Sequence, residues 1–249
     1  MPKTLRHRLK SALPPAALHL WRRIVHGWNW GGKDNAQVFS DVYAGRIWGG
    51  DAADPFHSGA GSRDARMVDP YVAAMTQAFD RIAGELGRRP DIADIGCGDF
   101  HVGARLRPAC ARYVACDVVP ALIAHHQASG RHPDVEFRQL DIARTPPPEV
   151  DVICVRQVFQ HLGNADIAAA LGHIRGRARW LAVSEHVPQG DFVPNRRKPP
   201  GPVTRFDERS GVDLAAAPFA LAHLEARVIC DVPERESGGR VVTTLYALS

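Results

Sequence analysis

The sequence predicts an α/β fold, in which a mostly parallel, seven-stranded sheet carries helices on both faces. Three observations predict it. Short β-branched and apolar runs alternate with helical patterns between residues 91 and 184, and strict alternation of strand and helix gives a parallel sheet covered on both sides. The first run, Asp91–Ile95, passes through Gly96-Cys97-Gly98 directly into a helix start. Two later runs end in carboxylates, Asp117 and Asp141, and ligands of open α/β sheets bind beyond the carboxyl ends of the strands.

The chain has 249 residues and 45% hydrophobic content, which suits a globular domain with a sizeable core. No apolar run is long enough to span a bilayer. Pro14, Pro15 and His19 interrupt any signal-type core, so the expected location is cytoplasmic. The five cysteines show no C-x-x-C pairing and read as reduced, buried residues. The net charge of +4 is unevenly placed. Residues 1–33 hold seven basic and no acidic side chains, leaving 24 basic against 27 acidic in the rest. A mildly acidic body argues against a nucleic-acid partner. The expected division is therefore a basic amphipathic arm and cap over 1–64, then a catalytic domain over 65–249.

In the arm, Leu5, Leu9 and Leu13 fall at helical spacing, and Leu18, Trp21, Ile24, Val25 and Trp28 repeat the pattern after Pro14-Pro15. Three readings stay open for residues 1–33: packing on the body or in a homodimer, peripheral contact with an anionic membrane, and nucleic-acid binding. Residues 29–64, rich in Gly, Asp and Ser, read as a partly irregular cap. Within it, Trp48 and the small-residue run Ser58–Ser62 read either as closing over the cofactor or forming the acceptor pocket, or as an ordinary surface loop.

Val68, Val72, Met75, Phe79, Ile82 and Leu86 mark one face of a helix that Gly87 ends. Strand one follows. In its turn, Gly96 and Gly98 let the backbone bend sharply, and the next helix points free N–H groups at the turn, favouring an anionic group. Arg112–Asp117 is strand two, and Pro120 opens a helix in its first turn. Val135–Ile142 is strand three and Val150–Val155 strand four. Asn164 caps a helix through Arg175. Trp180–Ser184 is strand five. Residues 187–211 read as a long loop, and loops of this length are usually functional or disordered. The tail alternates over Leu221–Val232 and Val241–Leu248, with Gly238-Gly239 as a hairpin turn.

The turn Asp94-Ile95-Gly96-Cys97-Gly98, with a carboxylate after each of strands two and three, resembles the class I S-adenosylmethionine-dependent methyltransferases. The resemblance covers roughly residues 65–185. It implies a Rossmann-like sheet closed by an antiparallel strand, with S-adenosyl-L-methionine as cofactor. It further implies that the Asp94–Gly98 loop wraps the methionine part, Asp117 with Val118 holds the ribose, and Asp141 with Ile142 holds the adenine. The commonest form has a third glycine soon after the second, whereas here Asp99-Phe100 intervene before Gly103. A bacterial subgroup is more similar, with W-G and S-G-x-G-S upstream of C-G-D-F, seen here as Trp48-Gly49, Ser58–Ser62 and Cys97–Phe100.

For transfer to a hydroxyl, a base is needed near the end of strand four or five. His161 is the first candidate and His186, beside Glu185, the second; each also reads as an ordinary packing or loop histidine. Arg156, at the end of strand four, reads as a contact to the cofactor or an anionic acceptor, or as a surface charge. No spacing matches a metal site. The expected function is O-methylation of a small-molecule or glycan hydroxyl. The alternatives are an RNA or protein methyltransferase, and a nucleotide-binding oxidoreductase of Rossmann type.

Overall fold

The computed structural model describes residues 30, 32–234 and 238–249. The amphipathic stretches expected between residues 5 and 28 lie outside them. Asn35–Ser249 forms one compact unit. Residues 35–64, grouped from sequence with the arm, belong to that unit. Helix α1 (Asn35–Ala44) runs through the stretch read as a partly irregular cap, because Val38, Phe39, Val42 and Tyr43 give it one buried face.

Helix α2 (Ala65–Leu86) begins where the Asp64 carboxylate accepts the Arg66 N–H at 3.0 Å, and ends at Gly87 in the left-handed conformation. Its Met67 packs on Val232 and Val241 of the last two strands. Four parallel strands then build the centre: β1 (Ile92–Ile95), β2 (Tyr113–Asp117), β3 (Glu136–Gln139) and β4 (Val152–Arg156). Between them lie α3 (His101–Leu106) and α4 (Pro120–Ser129), the latter with Pro120 in its first turn as expected. Helix α5 (Asn164–Ile174) buries Ile167, Ala170 and Ile174 and leads to β5 (Trp180–Pro188). The outer strands β6 (His223–Glu234) and β7 (Gly239–Leu248) complete seven strands in the order β3-β2-β1-β4-β5-β7-β6. β7 runs antiparallel to both neighbours, and the other pairings are parallel. β1 is buried on every residue, which is why Ile92–Ile95 shows no alternation.

Three expectations need correction. β3 stops at Gln139, so Asp141 sits in the following turn, where its Oδ1 accepts the Ala143 N–H at 3.0 Å. β5 runs to Pro188 rather than Ser184, because β7 pairs with it as far as Gly239. Asn164 does not cap α5; Gly163 holds that position without a side-chain bond. The Asn164 amide is drawn instead to the 187–211 segment, donating to the Asn195 carbonyl at 2.7 Å and accepting from Arg205 at 2.6 Å.

Candidate active site

A cavity of about 380 Å³ opens at the carboxyl ends of β1, β2 and β4. Asp94, Gly96, Cys97, Gly98, Asp117, Val118, Asp141, Ile142, Arg156, His161 and His186 all line it. The structure therefore brings together in one space all eleven residues offered from sequence as catalytic or cofactor-binding.

The turn after β1 is held by bonds that its own neighbourhood supplies. The N–H groups of Gly96 and Cys97 donate to the Cys116 carbonyl at 2.8 and 3.0 Å. Gly98 N–H donates to Asp117 Oδ2 at 3.1 Å, and Asp99 N–H to Ser58 Oγ at 2.8 Å. Phe100 N–H reaches the Cys97 carbonyl at 3.1 Å, and His101 N–H reaches Asp99 Oδ1 at 3.2 Å. Six successive donors are satisfied internally. The expectation that the helix start points free N–H groups at the turn is thereby narrowed: the His101 N–H is already used, while Val102 and Gly103, which follow it in the helix and line the cavity, keep N–H groups that no bond among the described residues takes.

The upstream and turn motifs meet in space. Ser58 Oγ takes the Asp99 N–H and pairs with Tyr43 Oη at 3.0 Å, while Arg63 Nε reaches the Asp99 carboxylate at 2.9 Å. Gly98 has a φ of 52°, and a Cβ there would lie 2.4 Å from Ser58 Oγ, so both backbone and space require glycine. Gly103 has a separate role. A Cβ on it would press into the Phe100 ring at 2.4 Å, so its bareness lets Phe100 seat beneath the helix. Phe100 accepts a φ of 59° because it is fully buried against Tyr113 and Phe137.

Four carboxylates line the cavity, and that of Asp99 is already paired with Arg63. Asp94 accepts from Tyr113 Oη at 2.9 Å, and burial pushes its carboxyl up to about 6. Asp117 is also raised by burial, with its oxygens receiving the Gly98 and Val119 N–H groups. Asp141 is met by the Asn35 amide at 3.3 Å, so α1 touches the far end of the cavity. Arg156 is buried against the Tyr71 ring at 5.1 Å and donates from Nη2 to the Gly61 carbonyl at 3.0 Å. Its Nε is buried with no hydrogen-bond partner.

The opposite wall comes from both ends of the unit. Phe39, Tyr43 and Trp48 form an aromatic group, with Trp48 5.1 Å from the His161 ring. His161 and His186 differ sharply. Gln160 Oε1 accepts the His186 backbone N–H at 3.0 Å, which turns the Gln160 amide group toward His161 Nε2 at 3.2 Å. That nitrogen must accept, so the proton sits on Nδ1 and is donated to the Gly201 carbonyl at 3.2 Å. Burial, reinforced by the Lys198 charge, holds the His161 imidazole down at about 3. Its lone pair is occupied and its basicity is low, which counts against the sequence preference for it as the base. His186 stacks flat on Phe206 at 4.5 Å, and its Nε2 stands 4.0 Å from a Glu234 carboxylate oxygen.

Sequence reasoning missed Asn35, Phe39 and Tyr43, whose signal was present in the spacing of apolar residues along 38–43. It also missed Pro202 and Thr204, which reach the cavity, and Arg205, which places them. Arg205 is 1% exposed and donates to the carbonyls of Arg196, Phe159, Gln160 and Leu162 as well as to Asn164. A single arginine in a Pro- and Arg-rich loop carries no pattern that marks it.

The family model described as a methyltransferase domain matches residues 93–179. That stretch carries a methyltransferase domain of the S-adenosylmethionine-dependent kind. No curated protein matches the chain in sequence. Among solved structures, the domain is similar to the N-methyltransferase NodS from Bradyrhizobium japonicum WM9, in complex with S-adenosyl-l-homocysteine. The identity is 14%, over 87% of this chain and 100% of that one, with a TM-score of 0.57. It is also similar to the bifunctional kinase-methyltransferase WbdD, with 18% identity over 84% of this chain and a TM-score of 0.57. The chain spans 46% of that WbdD chain and 41% of another. At these identities the likeness is one of fold. No helix among the described residues of the methyltransferase domain is long and apolar enough to cross a membrane.

Proposed function

We propose that this domain transfers the methyl group of S-adenosylmethionine to a hydroxyl of a small molecule or glycan, in the cytoplasm. The observation that carries the reading is one cavity in which a self-satisfied glycine turn, four carboxylates and a carboxylate-backed histidine converge. The cavity's chemistry fits the cofactor. Asp94, Asp117 and Asp141 suit a ligand bearing a sulfonium, an ammonium and ribose hydroxyls. With the N–H groups of Gly96 to His101 all bonded, the turn offers few donors to the pyrophosphate of a dinucleotide, which disfavours an oxidoreductase. When bound, the cofactor supplies a methyl group already activated by its positive sulfur.

In this reading Asp117 accepts hydrogen bonds from the ribose hydroxyls, and Asp141 with Ile142 frames the adenine. The unpaired Nε of Arg156 offers its N–H to the amino-acid carboxylate. His186 takes the acceptor proton as the oxygen attacks, and Glu234 beside it favours the imidazolium that forms. His161, protonated on Nδ1 only, serves as a neutral wall with Trp48.

Calorimetry with S-adenosylhomocysteine and with NAD tests the cofactor. Labelled methyl transfer to a panel of hydroxylated small molecules and glycans tests the acceptor. Binding of NAD in place of S-adenosylhomocysteine would sink the reading. Transfer confined to amines, undiminished in His186→Ala, would replace the hydroxyl acceptor with an amine.

A further inference from the structure

We infer that His126 is a positioning residue for the cofactor turn: its Nε2–H holds the Gly98 carbonyl and so fixes the Gly98–Asp99 peptide, next to the one whose N–H reaches Asp117. The contact is 2.8 Å long. It closes a set of bonds around one short piece of backbone. The peptide linking Gly98 to Asp99 has its carbonyl taken by His126 and its N–H taken by Ser58 Oγ at 2.8 Å. The preceding peptide gives its N–H to Asp117 at 3.1 Å. Gly98 holds a φ of 52°, a conformation that the free chain shares among alternatives, so the turn needs restraint from outside itself.

His126 is well placed to supply that restraint. It lies on α4, which is tied to β3 by the Gln127 amide donating to the Phe137 carbonyl at 2.9 Å. The imidazole lies flat on the Phe137 ring, with centroids 4.7 Å apart and planes 14° apart, and the edge of Phe100 approaches it at 6.1 Å. The ring is therefore oriented by packing before the turn meets it. A carbonyl can only accept, so the ring nitrogen facing Gly98 must carry the proton. Burial lowers the imidazole's affinity for a second proton, and the neutral ring with its proton on Nε2 is the form that clamps. The restraint reaches the ligand through Asp117, whose carboxylate is shared between the Gly98 and Val119 N–H groups.

The inference rests on the proposal that the cavity binds S-adenosylmethionine. Two variants separate the donor from the ring. His126→Phe keeps the stack on Phe137 and removes the donor. His126→Gln keeps an amide N–H near the Nε2 position and removes the ring. Calorimetry with S-adenosylhomocysteine is expected to show about tenfold weaker binding in His126→Phe and near wild-type binding in His126→Gln. Thermal melts are expected to rank the other way, with the phenylalanine variant the more stable. Asp117→Ala serves as the reference. If Asp117→Ala loses affinity while His126→Phe binds like wild type, the positioning role is wrong. It is equally wrong if affinity and melting temperature fall in the same order, since only ring packing is then at work. If the wild type does not bind S-adenosylhomocysteine, the cofactor reading fails and this inference fails with it.

Discussion

The two halves of the cavity are built by different means. On the side of β1, β2 and β4, the backbone makes the site: a turn whose N–H groups are all committed, and carboxylates at or just beyond strand ends. On the other side, residues 35–62 and 186–206 make walls from segments far apart in sequence, joined by side chains. Arg205 binds four carbonyls, Lys198 reaches the His161 carbonyl at 3.0 Å, and Tyr43 meets Ser58. Backbone-built sites restrict residue type strongly, since Gly98 tolerates neither another φ nor a Cβ. Side-chain staples restrict only the two groups they join. The methyltransferase match over 93–179 falls on the first half and leaves both walls outside it.

The contrast is broken most directly at His186. His186→Ala is expected to cut turnover by about 10²–10⁴-fold, with affinity for S-adenosylhomocysteine close to normal. His161→Phe is expected to change turnover far less. A reversed pair of results, from steady-state rates with labelled cofactor, would return the proton-transfer role to His161. The next largest effect is expected in Arg205→Met. It leaves several buried carbonyls without donors, each a loss of about 1–3 kcal/mol where water cannot reach. Urea denaturation should show a large loss of stability, and hydrogen exchange should rise over residues 196–206 and 159–164 before the sheet opens. Exchange that rises first in β1 and β2 would show that the wall and the sheet are a single unit.

Asp117→Ala acts on the other half. Loss of charged hydrogen bonds to the ribose is worth about 1.5–3 kcal/mol, and calorimetry should show cofactor affinity reduced accordingly. Unchanged affinity would remove Asp117 from the ribose site. The smallest effect is a pH dependence. Burial pushes the Glu185 carboxyl from 4.5 up to about 8, with one oxygen accepting the Phe159 N–H and the other without a partner. The folded protein thus keeps a proton that the unfolded chain releases. The stability from this group is complete below about 4.5 and is lost as the pH rises through about 8. Glu185→Gln mimics the protonated form, so its stability advantage over wild type should widen between pH 5 and pH 8.5. Unfolding curves that stay parallel across that range would mean Glu185 is ionised in the fold.

The difference between the halves also explains what the sequence made legible. Asp91–Gly98 could be read because each residue answers to a local demand, β-branched in a buried strand or glycine in a tight turn. Asp117 and Asp141 could be read because their places follow from strand order. β7 running antiparallel between β5 and β6 came from the family resemblance, since alternation in the tail fits either direction. Asn164 was read as a helix cap because it stands in the right place and has the right chemistry. Its actual partner, Arg205, lies 41 residues away, and nothing in a linear pattern announces a contact of that span. The same holds for His161, whose ordinary acidity could not reveal an occupied lone pair.

A turn that keeps its donors to itself has a consequence for competition within a cell. Phosphate, sulfate and nucleotides are abundant, and a helix start with free N–H groups would collect them. Here the N–H groups of Gly96 to His101 are already bonded and four carboxylates line the same space, so a free anion finds few donors beyond Arg156. The demethylated cofactor meets no such barrier, since it shares the ribose, adenine and amino-acid groups of its parent. Turnover is then expected to respond to the ratio of S-adenosylmethionine to its spent form more than to the surrounding phosphate pool, which inhibition assays with S-adenosylhomocysteine and with inorganic phosphate check.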